Sequence, residues 1–218
     1  MNRDSIRLAV VFISLIVVGV IARFVFLATP NFAATAAVAT FAGFYFASRR
    51  VAMLVPIAVM AISNLWLDSY ASWGVMLVVY ASFLFPALLS HEFSSGRRSE
   101  RRIGTVALGV CAVAPSLLFF VTTNLAVWAF NGYYAHTAAG LVQCYVQALP
   151  FYGFNVAGDL LCTTAIFGTF FFARWYALAT VSDVRAVEAI KSLEPGLFMR
   201  SAFIVVSNSV KTRYDYLT

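Results

Sequence analysis

LLFFVTTNLAVWAFNGYYAHTAAGLVQCYVQALPFYGFNVAGDLLCTTAIFGTF, residues 117–170, is the stretch whose reading decides the fold. Two long apolar segments flank a polar, aromatic connector, and the polar residues recur at helical spacing. Asn124, Trp128 and Asn131 fall at i, i+4 and i+7; His136, Gly140, Gln143 and Gln147 form a second stripe; Asn155, Asp159 and Thr163 form a third. Residues three or four apart share a helix face. A helix this apolar meets lipid on most sides, so a polar stripe on it is expected to face protein or a water-filled cavity. Asp159 is the only formally charged side chain between Ile103 and Ala173. Burying it at a helix centre costs about 2.5–3.5 kcal/mol on an insertion scale. It is therefore expected either to contact a ligand or ion, or to form an ion pair with Arg23 or a hydrogen bond to a neighbouring helix.

Composition places this stretch in a membrane protein. The 218 residues are 62% hydrophobic and 11% charged, with a mean hydropathy of +0.86, whereas a soluble domain is about 45–50% apolar and about 25% charged. The formal charge of +6 sits at segment ends, as membrane topology requires, and gives no ground for nucleic-acid binding. Cys111, Cys144 and Cys162 lie in apolar segments without metal-ligand spacing and read as buried free thiols. Paired carboxylates, H-E-x-x-H, a nucleophile elbow and a P-loop are all missing, so neither an enzyme, a metal site nor a cofactor is expected.

A span needs about 20 apolar residues, and six are expected along the chain. The first, Leu8 to Ala28, carries Arg23 near its far end and reads as a retained helix rather than a cleaved signal. Asn31 is placed to cap the second, Phe32 to Ser48, whose small residues Ala33, Ala37 and Gly43 would let helices approach closely in lipid. The third runs from Val51 to Leu67 and closes on Asn64 and Asp68; the fourth runs from Trp73 to Ser90. A polar loop, HEFSSGRRSERR, leads to the fifth, Ile103 to Phe130, where Pro115 is expected to kink or divide the helix. Asn131 to Tyr152 is only moderately apolar and reads as an outer interfacial or re-entrant helix. The sixth span, Gly153 to Ala173, ends on an Arg174-Trp175-Tyr176 anchor.

The fold class is therefore an all-α integral membrane protein. A six-helix domain covers residues 1–176, followed by a cytoplasmic tail, 177–218, in which Ser182 caps a short amphipathic helix. Six spans put the Lys and Arg clusters on one side, which the positive-inside rule assigns to the cytoplasm together with both termini. Arg23, Asn64, Asn124, Trp128, Gln143, Asn155 and Asp159 then fall toward the outer half. That distribution describes a polar cup open outward.

The blocks PNFAATAAVATFAGFYF, VAMLVPIAVMAISNLWLD, LLFFVTTNLAVW, TAAGLVQCYVQALPF and VAGDLLCTTAIFG carry a further signal. Across Arg23 to Gly168 the chain resembles a family of uncharacterised bacterial integral membrane proteins, itself similar to the substrate-binding S components of energy-coupling-factor (ECF) vitamin transporters. The resemblance implies an S-component-like fold in a bacterial cytoplasmic membrane. It also implies capture of a small solute from outside and a partner transmembrane subunit driven by ATPases. S components carry an A-x-x-x-A docking motif on the first helix; here that helix, with Ala9 and Gly19, lacks it, and Ala33/Ala37 is the nearest match. The expected function is transport of a small, vitamin-like solute. The other reading is a non-transporting assembly subunit that packs through the Ala-rich second helix.

Overall fold

The computed structural model describes residues 3–27, 29, 34–67, 70, 72–94 and 102–191. These residues form six α-helices: α1 (Arg3–Val25), α2 (Thr35–Tyr45), α3 (Arg49–Ser63), α4 (Trp73–Phe93), α5 (Thr105–Phe130) and α6 (Ala138–Lys191). Four stretches are long and apolar enough to cross a membrane: Ser5–Val25, Trp73–Phe93, Thr105–Phe130 and Ala138–Thr180.

The two remaining helices are shorter than the sequence suggests. α2 has 11 residues and α3 has 15, against the roughly 20 that a straight span needs. α2 stops because Phe46 turns extended, at φ −86 and ψ 130. α3 stops at Ser63 because the next amides reach back only three residues, from Leu65 to Ile62 and from Trp66 to Ser63, which tightens the last turn.

Three other expectations are corrected. No separate interfacial helix occupies 131–152: residues 131–137 are a connector, and Gly132 supplies its left-handed position at φ 67. α6 then begins at Ala138, where the Thr137 hydroxyl accepts from the Gly140 amide at 3.1 Å, and runs through Pro150 without a break. α5 likewise runs undivided through Pro115; apolar helices tolerate an internal proline when neighbouring groups satisfy the carbonyl it frees. Residues 182–191 belong to α6, so Ser182 does not start a helix of its own. Asn31, Ala33, Asp68 and the tail beyond Lys191 lie outside the described residues.

The chain divides into two compact units, Met1–Gly168 and Thr169–Thr218. In the second, the described part is helical to Lys191, with side chains 171–178 exposed and a tilted Phe172–Trp175 ring pair at 5.9 Å. The first is a bundle with α2 at its centre. Every residue from Thr35 to Phe44 is buried, and α2 packs on α1, α3, α4 and α5. Phe41 and Phe44 also hold Phe167 of α6 between them, with ring centroids 5.2 and 5.3 Å away. Gly43 makes the closest approach, because a Cβ there would run into the Ala87 backbone of α4, whose carbonyl carbon would lie 2.9 Å away. Ala37 is buried in the same helix.

The helices alternate in direction, which gives the bundle two unlike ends. One end carries the Arg49–Glu92 ion pair and the His91 contact to the Ala47 carbonyl. At the other end α1, α3 and α5 finish while α2, α4 and α6 begin.

Candidate functional site

A cavity of about 590 Å³ lies within the first unit, at the end where α1, α3 and α5 finish. The short α2 positions it, because a helix of 11 residues covers only about 16 Å and its first residue, Thr35, lines the cavity. Thr40 of α2 donates to the Cys111 carbonyl of α5 at 3.4 Å. Thr35 and Ser116 each lie five residues from that contact toward the cavity end, so both stand at about the same depth. Asp159 of α6 joins them there, accepting from the Ser116 hydroxyl at 2.6 Å. Asp159 is 3% exposed and Thr35 0%. The Thr35 Oγ1 atom is buried and without a hydrogen-bond partner among the described residues.

Arg23 approaches from α1, near the mouth. Its Nη1 donates to the Ser63 hydroxyl at 2.8 Å and to the Met60 sulfur at 2.7 Å, at the end of α3. Both of these bonds go to α3, and among the described residues the Arg23 guanidinium makes none with Asp159. The expected Arg23–Asp159 pair is therefore not formed. Each group has its own hydroxyl partner, and both face the same cavity.

Much of the wall is apolar and aromatic. Phe83 and Phe119 pack at 5.2 Å, and Phe120 packs on Tyr145 at 5.6 Å and on Tyr152 at 4.9 Å. Asn124 and Asn155 line the cavity as well, with Asn124 donating to its own helix at the Phe120 carbonyl, 2.7 Å away. Tyr134 and Gln147 bond at 2.8 Å, also on the lining. Tyr70, in the connector before α4, completes the mouth. Burial raises its phenol above the ordinary value of 10.0, while Arg23 and Asn64 beside it pull the other way.

Of the residues expected in the cup, Arg23, Asn124, Asn155 and Asp159 come together on this lining. Trp128, Gln143 and Asn64 do not. The Trp128 indole donates to the Ala135 carbonyl at 3.0 Å and packs on His136, bracing the connector before α6. Gln143 is exposed on the outer side of α6. Asn64 donates to the Tyr80 hydroxyl at 3.1 Å, tying α3 to α4. Sequence reasoning missed Thr35 and Ser116, because a hydroxyl in an apolar helix ordinarily bonds its own preceding turn and carries no sign of a site, and it missed Tyr70, which lies in a connector that reads only as a turn. Among the described residues no three His, Cys, Asp or Glu side chains gather where a metal ion could be held.

The family model that matches spans residues 3–183, covering all six helices up to the later part of α6. The chain belongs to DUF6580, a family of unknown function. No curated protein and no solved structure matches it. The DUF6580 match takes in every cavity-lining residue named above, so the cavity lies within the family's shared region. It assigns the cavity no ligand and shows no S-component likeness.

Proposed function

We propose that this DUF6580 chain is a membrane transport protein that binds a small, vitamin-like solute in the cavity, taking it from the outer face in the manner of an S component. The observation that carries the reading is the placing of Arg23, Asn124, Asn155 and Asp159 on one cavity of about 590 Å³. Small-molecule sites are concave, mostly apolar and about 300–1,000 Å³, with a few placed polar groups. Ionisable residues at membrane depth that face a cavity commonly mark a substrate path. Arg7, Arg49, Arg50 and Arg102 stand at the opposite end of the bundle. Positive-inside then makes that end cytoplasmic, puts both termini there and turns the mouth outward. With no ATP-binding module in the sequence, inward delivery would draw on an ECF-type partner subunit with its ATPases or on an ion gradient. The alternative, an assembly subunit docking through α2, lacks a surface: residues 35–44 are covered by the chain's own helices.

Native mass spectrometry of the full chain, released gently from detergent, tests this reading. The expected spectrum shows a retained small molecule that is lost from a variant carrying Thr123→Trp, which would fill the lining. A protein that keeps no added mass from any expression medium, or keeps it unchanged in the filled variant, would contradict it.

A further inference from the structure

The unlike ends of the cavity specify more than a solute of some kind. At the mouth stands a guanidinium whose bonds to Ser63 and Met60 both leave from Nη1. The Tyr70 phenol also hydrogen-bonds this guanidinium, which with five N–H donors still has some to offer an incoming carboxylate or phosphate. At the floor stands the Asp159 carboxylate, which accepts from Ser116 through Oδ2 and has further lone pairs to offer a donor. Thr35 Oγ1 shares that level, buried and without a partner among the described residues. A buried polar atom left unpaired is costly, and a bound polar group at the floor would remove that cost.

The two charged groups bond different partners, Arg23 to Ser63 and Met60 and Asp159 to Ser116. The same cavity is lined by Phe83, Phe119, Phe120 and Tyr152, whose faces suit a flat or ring-bearing body. A solute with one charged end would leave the other wall's charge facing an apolar cavity.

We infer that the solute is elongated and amphoteric, with an anionic group on Arg23 at the mouth, a ring-bearing middle between the phenylalanines, and a hydrogen-bond donor or cationic group on Asp159 and Thr35 at the floor. This rests on the solute-binding reading and adds its chemical class and its orientation.

The test uses the full chain in lipid nanodiscs and a matched trio of compounds: 4-(4-aminophenyl)butanoate, 4-phenylbutanoate and 4-butylaniline. The two-ended compound is expected to bind at least about tenfold more tightly than either one-ended relative, as one charge-assisted hydrogen bond is worth about 1.5–3 kcal/mol. Arg23→Gln should reduce its affinity to that of the aniline, and Asp159→Asn to that of the phenylbutanoate. Should Asp159→Asn fail to fold, Thr35→Val probes the same floor and should weaken the two amino compounds but not the acid. Equal binding of all three, or of one single-ended compound and the two-ended one, would overturn the amphoteric class while leaving solute binding in place. No binding by any of the three would overturn the class too. A mass retained by the wild type in native spectrometry would then keep the solute-binding reading, and its absence would remove both.

Discussion

Asp159 is the residue on which the structure and the sequence meet most closely. Its charge stands alone in the long stretch from Ile103 to Ala173, so the sequence singles it out without help. Its partner is a different matter. Ser116 was invisible as a partner because hydroxyls in these helices mostly bond backward to their own turn, as Ser63 does to Val59 at 2.7 Å and Thr123 to Phe119 at 2.6 Å. Arg23, the obvious candidate by charge, is held instead by Ser63 and Met60. A double-mutant cycle separates the two pairings. Ser116→Ala and Asp159→Asn should couple by about 0.6–1.7 kcal/mol in unfolding stability, the range found for hydrogen bonds between membrane helices. Arg23→Gln and Asp159→Asn should be additive within about 0.5 kcal/mol. Strong coupling in the second cycle and none in the first would mean that the acid is neutralised by the arginine after all.

At the scale of an element, α2 decides where the cavity lies. Its small residues were legible as a packing surface, since small side chains are what permit close approach in lipid. Its length was not, because hydropathy continues past the point where Phe46 turns extended and α2 ends. The same limit applies to α6. Pro150 and the polar residues Gln143 and Gln147 read as an interruption, yet the helix runs on through them. Gly43 gives the sharpest test of the central position of α2. Gly43→Ala would push a methyl against the Ala87 backbone and should destabilise the protein by about 1–3 kcal/mol, the usual cost of overpacking. Gly109→Ala on α5 meets nothing within 4 Å and should be neutral or stabilising by up to about 1 kcal/mol, since it removes only the entropic penalty of glycine. Thermal unfolding of both in one detergent checks the contrast.

For the whole molecule, the two ends of the bundle were legible because charge and polarity separate along the chain. Arg49, Arg50 and Arg102 flank helix ends on one side, while Asn124, Asn155 and Asp159 project into the cavity at the other. Which side chains turn inward was not legible. Asn124 and Trp128 lie four apart on one stripe of α5, but only Asn124 reaches the cavity; Trp128 is drawn to the Ala135 carbonyl. Helical spacing gives a shared face and cannot tell a lumen from a neighbouring connector. The central claim, that a water-reachable cavity opens at the end away from Arg49, Arg50 and Arg102, is tested most directly by thiol accessibility. Cys111, Cys144 and Cys162 would be changed to alanine and Asn155 to cysteine, then intact cells treated with a membrane-impermeant thiosulfonate. Tyr133→Cys, exposed beside the mouth, and Glu92→Cys, exposed at the far end, serve as the two references. The expected result is modification at Asn155→Cys from outside, slower than at Tyr133→Cys, with Glu92→Cys reacting only after the membrane is opened. Modification of Asn155→Cys only together with Glu92→Cys, or none at all while Tyr133→Cys reacts, would contradict the outward-facing cavity.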